Sequence, residues 1–251
     1  MKMMILAAAL AAISTASFAD VDPDMEMFGG WVKKPNSSRG KVVFLNSQKR
    51  VPASDLQRVF AEIDFSVKVV RELKDVDKVS LPNPKPDISA AGGNVGVVLV
   101  DVPQYPALTV APEEGWSLVN VSALAADNPD AATLATRTRK EMLRAFALAG
   151  GCSFMARGAM VLRNDVRQPS DLDYLKRESY GVDVINGLSR NLPRLGVRPW
   201  TVATYEDACM QGWAPQPTNE YQKAIWDKVH APPEKPMKIT YDTAAQKPVV
   251  K

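Results

Sequence analysis

Histidine is almost missing from this chain of 251 residues, in which His230 is the only one. Catalytic zinc sites take most of their protein ligands from histidine, so a three-histidine site cannot be built from this sequence. A cysteine nucleophile that relies on a histidine base would depend on the same single imidazole. The sequence therefore predicts neither a bound metal nor a cofactor, and it argues against histidine-dependent hydrolysis.

Cysteine is nearly as scarce, with Cys152 and Cys209 as the only two residues of this type. In an oxidising compartment an even pair of cysteines is most simply a disulfide. A Cys152–Cys209 bridge would close a long loop and stabilise the fold by about 4 kcal/mol on the chain-entropy model. A free thiol nucleophile is the alternative interpretation, and it would need a base close by.

Long apolar runs are missing as well. The most prominent run, Ile5–Ile13, is too short to cross a bilayer, which takes roughly 20 residues. Lys2 precedes it, and the small residues Ser17 and Ala19 follow it at the spacing of a cleavage site. This pattern predicts a signal peptide over residues 1–19, cleaved after Ala19, and a secreted or periplasmic protein. We expect no membrane insertion after its removal.

Neither sign of charge is in large excess, since 31 basic residues face 28 acidic ones and the formal net charge is +3. The basic residues are scattered, and their densest group is Arg137, Arg139, Lys140 and Arg144. Nucleic-acid-binding domains usually carry a clear basic surface, so we expect no nucleic-acid partner.

Short apolar runs and helical patterns alternate along the chain and predict an α+β fold. The runs predict a mixed β-sheet with packed helices over residues 41–155, after an N-terminal arm at 20–40. Residues 156–251 predict a mainly helical, proline-rich extension packed on that domain. The strands are predicted at Lys41–Asn46, Val67–Leu73, Gly96–Asp101, Ala107–Pro112, Trp116–Val121 and Met237–Tyr241, and the helices after a Ser54–Gln57 capping box and over Asp130–Ala149, Ser170–Glu178, Val182–Leu192 and Asn219–Val229.

One helix carries a spaced motif, formed by Arg137, Lys140 and Glu141 with Gly151 ten residues further on. With the preceding order of strands, the stretch Lys41–Phe154 resembles the zincin metallopeptidases, and among these the archaemetzincins most. The active-site helix of that family reads approximately R-x-x-K-E-x-x-H-E-x-x-H-x-x-G-x-x-H. The resemblance implies a sheet with an edge strand before its last strand, leading into one buried active-site helix.

The catalytic positions of that motif are all replaced in this chain. The first histidine falls on Arg144, the general-base glutamate on Ala145, the second histidine on Leu148 and the third on Phe154. A guanidinium repels Zn²⁺, and alanine, leucine and phenylalanine side chains donate no ligand and take no proton. The resemblance therefore implies a non-catalytic, pseudo-peptidase scaffold. It would keep the family's substrate groove for a polypeptide or glycoprotein partner.

Three carboxylates leave a second function open. Asp101 ends an apolar strand, Glu141 lies on the buried helix, and Asp242 begins Asp-Thr-Ala, which weakly resembles the Asp-Thr-Gly of aspartic peptidases. Two of them paired across a cleft could serve as acid and base in a non-zinc hydrolase of exported or host proteins. A salt linkage to Arg137 or Arg144 explains Glu141 equally well. A purely structural envelope component is the third hypothesis.

Overall fold

The structure is a computed structural model that describes residues 30–155, 161–232, 239–242 and 247–250, the last two ranges as backbone only. The predicted signal peptide lies outside these residues. The described residues divide into two compact units, one lying within residues 35–201 and the other formed by residues 30–34 and the described residues from 202 onward. The predicted boundary between residues 155 and 156 stays a prediction.

Nine strands and seven α-helices make up the described part of the chain. The strands are β1 Trp31–Lys33, β2 Val42–Ser47, β3 Arg71–Val76, β4 Val95–Val100, β5 Leu108–Ala111, β6 Trp116–Asn120, β7 Val202–Thr204, β8 Ile239–Asp242 and β9 Lys247–Val250. The helices are α1 Ala53–Val67, α2 Lys85–Ala90, α3 Val121–Leu124, α4 Ala131–Ala149, α5 Val182–Asn191, α6 Tyr205–Met210 and α7 Glu220–His230. Short 3-10 turns lie at Pro112–Glu114, Pro169–Tyr174 and Leu192–Leu195.

The unit of residues 35–201 is built on a five-stranded sheet in the order β3-β2-β4-β6-β5. Four strands run parallel, and β5 pairs with β6 in the antiparallel direction. Every residue of β2 and β4 is buried, as the near-continuous apolar runs of central parallel strands predict. Strand β5 lies at the sheet edge, where its flanking prolines Pro106 and Pro112 do not interrupt a central ladder.

Helices cover both faces of this sheet, and each face has its own core. Helices α1 and α4 cover one face, where Phe44 and Val97 point toward Phe60 and Phe146. Phe44 and Phe60 meet edge to face, with ring centroids 4.9 Å apart. The opposite face is smaller and packs Leu45, Val98 and Leu118 against Ile88 of α2.

Helix α4 has clear signals at both ends. The Asp130 side chain accepts a 2.8 Å hydrogen bond from the backbone N–H of Thr133, which caps the first turn. At the other end Gly151 adopts φ +80°, which lets its N–H reach the Leu148 carbonyl while the N–H of Cys152 reaches Ala147. This glycine turns the chain so that the segment after the helix returns along it.

The predicted fold class is confirmed as an α+β arrangement with a mixed sheet, packed helices and a helical C-terminal part. The Ser54–Gln57 capping box is wrong, because the N-cap is Pro52, two residues before Ser54, and the Pro52 carbonyl accepts from the N–H groups of Asp55 and Leu56. The strand predicted at Val67–Leu73 starts only at Arg71, after α1 has ended.

The second unit is small and aromatic. Strands β1 and β7 form an antiparallel pair, and Val32, Tyr205 and Cys209 form a core with α6 and α7. Trp226 stacks on His230 within α7 at 4.1 Å between ring centroids, so the one histidine of the chain is engaged in ring packing. No helix in the described ranges is both long and apolar enough to cross a membrane.

Candidate functional site: a cleft beside the edge strand

A cleft of about 250 Å³ lies between the edge strand, helix α4 and the segment that precedes and forms the 3-10 turn Pro169–Tyr174. Its lining mixes apolar residues with three charged ones, Glu141, Arg144 and Arg167. The lining residues are Pro106, Ala107, Leu108, Leu124, Glu141, Arg144, Phe154, Val166, Arg167, Gln168, Pro169 and Leu172. The strand β5, the helix and the post-helix turn thus meet at one opening.

The floor of the cleft carries a buried charge pair. The Glu141 and Arg144 side chains are only 4% and 3% exposed, and Oε2 of Glu141 lies 2.8 Å from Nε of Arg144. The two atoms are close but not aligned, and among the described residues neither makes a hydrogen bond. Burial raises the pKa of Glu141 above its ordinary value, and the charge of Arg144 opposes that rise.

Contacts other than Glu141 also hold the Arg144 guanidinium. Its Nη1 donates to the backbone carbonyls of Val161 at 2.5 Å and Arg163 at 3.1 Å. The Phe154 ring lies over the Arg144 guanidinium, with Cζ 5.2 Å from the ring centroid. The Phe154 side chain is half exposed at the cleft. The carbonyls and the ring fix the position of the cation without neutralising its charge.

The remaining basic residues of α4 hold the fold together. Arg137 forms bidentate bonds to Asp127 and Asp173, and Arg139 bonds Asp55 and Glu178. Lys140 donates to the Leu172 carbonyl at 2.8 Å, and burial lowers its pKa. The dense basic group of the sequence is therefore a set of buried anchors for neighbouring segments.

The rim of the cleft is organised by Asn120, a residue that the sequence did not single out. Its Nδ2 donates to the carbonyls of Val102 and Tyr105, and its Oδ1 accepts from the N–H of Val102. These bonds fix the loop that enters β5 through Pro106.

Arg167 is the second residue that sequence reasoning missed. Its only sequence signal was a charge near a proline, and its place beside the cleft depends on tertiary packing.

The positions matched to the zincin motif lie in different environments. Ala145 and Leu148 belong to the apolar core beneath the sheet, whereas Arg144 and Phe154 come together at the cleft. Gly151 keeps a left-handed backbone, and its carbonyl accepts from Nδ2 of Asn191 at 2.7 Å. The helix and its glycine turn thus bring two of the predicted positions to one opening.

These residues do not fit a zinc ion. Zinc in a catalytic site requires three electron-donating ligands, but Arg144 is a fixed cation and Phe154 presents a ring, while Leu148 is buried in the core. Within the described ranges, no group of three or more histidine, cysteine, aspartate or glutamate side chains could hold a metal. We therefore derive no chemistry through a metal at this site.

The other candidate carboxylates lie elsewhere. Asp101 follows β4 and pairs with Nε of Arg50 at 3.0 Å. Glu141 pairs with Arg144 instead, and no contact between described residues joins the Asp101 and Glu141 carboxylates. Asp242 ends β8, where only the backbone is described. The described ranges thus show no contact between any two of the carboxylates that the sequence offered as an acid–base pair.

The predicted Cys152–Cys209 disulfide is not formed in the structure, where both cysteines are free thiols. The Cys152 thiol packs against α5, with Sγ 3.7 Å from the Val184 carbonyl. Cys209 belongs to the separate core around Tyr205. The prediction counted an even number of cysteines, whereas the packing of each unit determines which thiols can meet.

Two solved structures are similar to this chain. The comparisons with protein-family models and with curated proteins find no match. The chain is structurally similar to archaemetzincin from Methanopyrus kandleri, with 16% identity, a TM-score of 0.46, and coverage of 64% of this chain and 99% of that one. It is also similar to a zinc-dependent peptidase from Methanocorpusculum labreanum, with 14% identity, a TM-score of 0.44, and coverage of 59% and 100%. The resemblance to archaemetzincins is thereby confirmed as a structural similarity.

We expect alkylation to find two thiols in every chain. Protein unfolded in denaturant without reductant should add two iodoacetamide groups, because no disulfide holds either sulfur. In the folded protein Cys152 should react slowly at pH 8, since burial raises its pKa to about 11 and leaves about a thousandfold less thiolate than thiol. Intact-mass spectrometry reads both states. An unmodified chain that gains adducts only after reduction would contradict the free thiols.

Glu141 should make stability depend on pH in a defined direction. Its raised pKa means that the folded chain keeps a proton that the unfolded chain has already lost, so its contribution to stability falls as pH rises above about 4.5. We expect the free energy of unfolding of Glu141→Gln to rise relative to that of the wild type as pH rises above about 4.5. Urea unfolding at several pH values measures the difference between the two free energies of unfolding, with the exposed Glu113→Gln as control. A wild type that gains stability relative to Glu141→Gln as pH rises would disprove the raised pKa.

Proposed function

We propose that this protein is an exported, non-catalytic, zincin-like protein that binds a polypeptide in the cleft beside β5. The sequence resemblance places a metallopeptidase site on helix α4, and the catalytic residue types of that site are replaced. The structure has an open cleft at this helix, and a half-exposed aromatic ring stands at its opening. The proposal joins this cleft to the export that the N-terminal sequence predicts.

One observation carries the proposal, namely the buried Glu141–Arg144 pair at the floor of an open cleft. A buried charge pair is costly to desolvate and is seldom the most stable solution for a core. An open cleft that combines apolar lining with a few convergent polar groups is the usual form of a binding site. The neighbouring edge strand offers an outer edge that pairs with no other strand of the described residues, and an extended polypeptide can add to such an edge.

Binding through the cleft can be tested by filling it. We expect a displayed peptide library to yield ligands for the wild type that fail to bind Ala107→Trp, because an indole at this lining position occupies the open space. Ala61→Trp places the same side chain on the exposed face of α1 and should leave binding intact. Ligands that bind both variants equally would place the binding surface elsewhere.

Catalysis and export need their own measurements. Purified protein should contain far less than one zinc per chain and should show no chelator-sensitive peptidase activity. A ratio near one with such activity would overturn the proposal. The mature chain should begin at Asp20, which N-terminal sequencing of exported protein determines. The carboxylate-based hydrolase remains the other class consistent with the sequence, and acid-optimum proteolysis lost on a single aspartate-to-asparagine change would establish it.

A further inference from the structure

We propose that the cleft recognises the C-terminal carboxylate of a polypeptide, which binds Arg144 in place of Glu141. The inference rests on the proposed function and names the chemical group that the cleft selects. Its starting point is the poor alignment of the buried pair, in which Nε of Arg144 and Oε2 of Glu141 lie 2.8 Å apart without a hydrogen bond. Each buried atom is therefore left with unused bonding capacity at the floor of a cleft.

The guanidinium does not need Glu141 to stay in place. The carbonyls of Val161 and Arg163 and the ring of Phe154 fix it from other sides. A carboxylate that approached through the cleft would meet a cation already positioned, so little side-chain entropy would be lost on binding. Planar carboxylates and guanidinium groups form aligned, charge-assisted hydrogen bonds that the Glu141 contact does not achieve.

The charge of the lining also favours an anion. Arg144 and Arg167 are the basic residues that line the cleft, and Glu141 is the single acidic residue among the described lining residues. The remainder includes Leu108 and Leu172, which suit an aliphatic side chain on the same terminal residue. The residues that precede this terminus would extend along β5. The complementary ligand is therefore a polypeptide that ends in an aliphatic residue with a free carboxylate.

Glu141 can leave the pair by taking up a proton. Burial raises its pKa, and the charged group that faces it is Arg144 from its own helix. Arg167, from the loop before the 3-10 turn, is the other basic residue of the lining. Strand β5 and helix α3 contribute the uncharged Leu108 and Leu124 to the lining. Binding of the incoming carboxylate should therefore be accompanied by proton uptake and should weaken as pH rises.

Fluorescence polarisation with three labelled peptides tests the inference. One short alanine peptide ends in leucine with a free carboxylate, the second ends in leucine amide, and the third ends in leucine amide but carries an internal glutamate. We expect the first to bind at least about tenfold more tightly than either amide, as an aligned charge-assisted contact allows. Equal binding of the first two peptides would overturn the inference and leave the proposed function standing. Absence of binding by all three would overturn both, and tight binding of the third would overturn recognition of the terminus.

Three variants locate the recognition in the pair. Glu141→Gln removes the competing carboxylate, so it should bind the free-carboxylate peptide about tenfold more tightly and with little pH dependence. The double variant Glu141→Gln with Arg144→Gln removes both charges from the floor of the cleft, and it should bind acid and amide peptides equally. Arg194→Gln removes an exposed cation outside the cleft and should match the wild type. An acid preference that persists in the folded double variant would disprove the role of Arg144.

Discussion

Replacing Arg144 with methionine should lower the free energy of unfolding by about 3–5 kcal/mol, because it leaves the Glu141 carboxylate buried without its counter-charge. The variant also loses two hydrogen bonds that Nη1 donates to the carbonyls of Val161 and Arg163. The chain then has two ways to reduce the penalty. It can protonate Glu141, whose pKa burial already raises, or it can open the cleft to water.

The double variant Glu141→Leu with Arg144→Met should recover most of that loss. Apolar residues of similar size commonly replace a buried ion pair at little or no cost, since neither charge has to be desolvated. Urea unfolding of the wild type, both single variants and the double variant completes the cycle and gives the coupling energy of the pair. Arg163→Met tests an arginine whose pair with Asp165 is exposed, and it should scarcely change stability.

This cycle also separates stability from function. If the double variant is as stable as the wild type, the pair is not present in order to hold the fold together. Its retention at the floor of the cleft then has to be explained by what the cleft binds. If the double variant remains as unstable as Arg144→Met, the pair is a structural element, and the proposed role of Arg144 in recognition loses its physical basis.

The sheet could be predicted from the sequence because its signals are local. The runs that became β2 and β4 are apolar at almost every position, and prolines on both sides marked β5 as an edge strand. Helix α4 was also predictable, since Gly150 and Gly151 mark its end and its second half is apolar on nearly every side. Patterns of this kind depend on residues a few positions apart and survive into the fold.

Elements whose cause is tertiary could not be predicted. The three prolines of residues 81–86 indicate a loop, yet α2 begins at Lys85 because proline is tolerated in a first helical turn. The sequence allowed Glu141 to pair with Arg137 or Arg144, and only packing decides for Arg144. The carbonyls that hold its guanidinium belong to residues 17 and 19 positions further along the chain. No periodicity encodes that approach, so the floor of the cleft was not visible in the sequence.

Gly40→Ala should cost about 3 kcal/mol, and its effect should come from the backbone around it. Gly40 has φ +65°, and a Cβ built there would lie 2.2 Å from the Gly196 carbonyl oxygen and 2.7 Å from Oδ1 of Asn94. The left-handed backbone alone costs an alanine about 1–2 kcal/mol, and relieving the clash requires a shift of packed segments. Gly40 lies next to the bridge between Arg39 and Arg198, so this shift would disturb the close approach of two distant parts of the unit.

Gly92→Ala provides the matched comparison for this prediction. Gly92 has a similar φ of +78°, but its built Cβ would meet only the flexible end of Lys41, at 3.1 Å from Cε. We therefore expect a loss of about 1 kcal/mol, which is the backbone cost without the clash. Urea unfolding of both variants measures the difference. Equal losses would show that the chain relaxes around Gly40 at no cost, whereas a difference of about 2 kcal/mol would assign it to the contact with the Gly196 carbonyl.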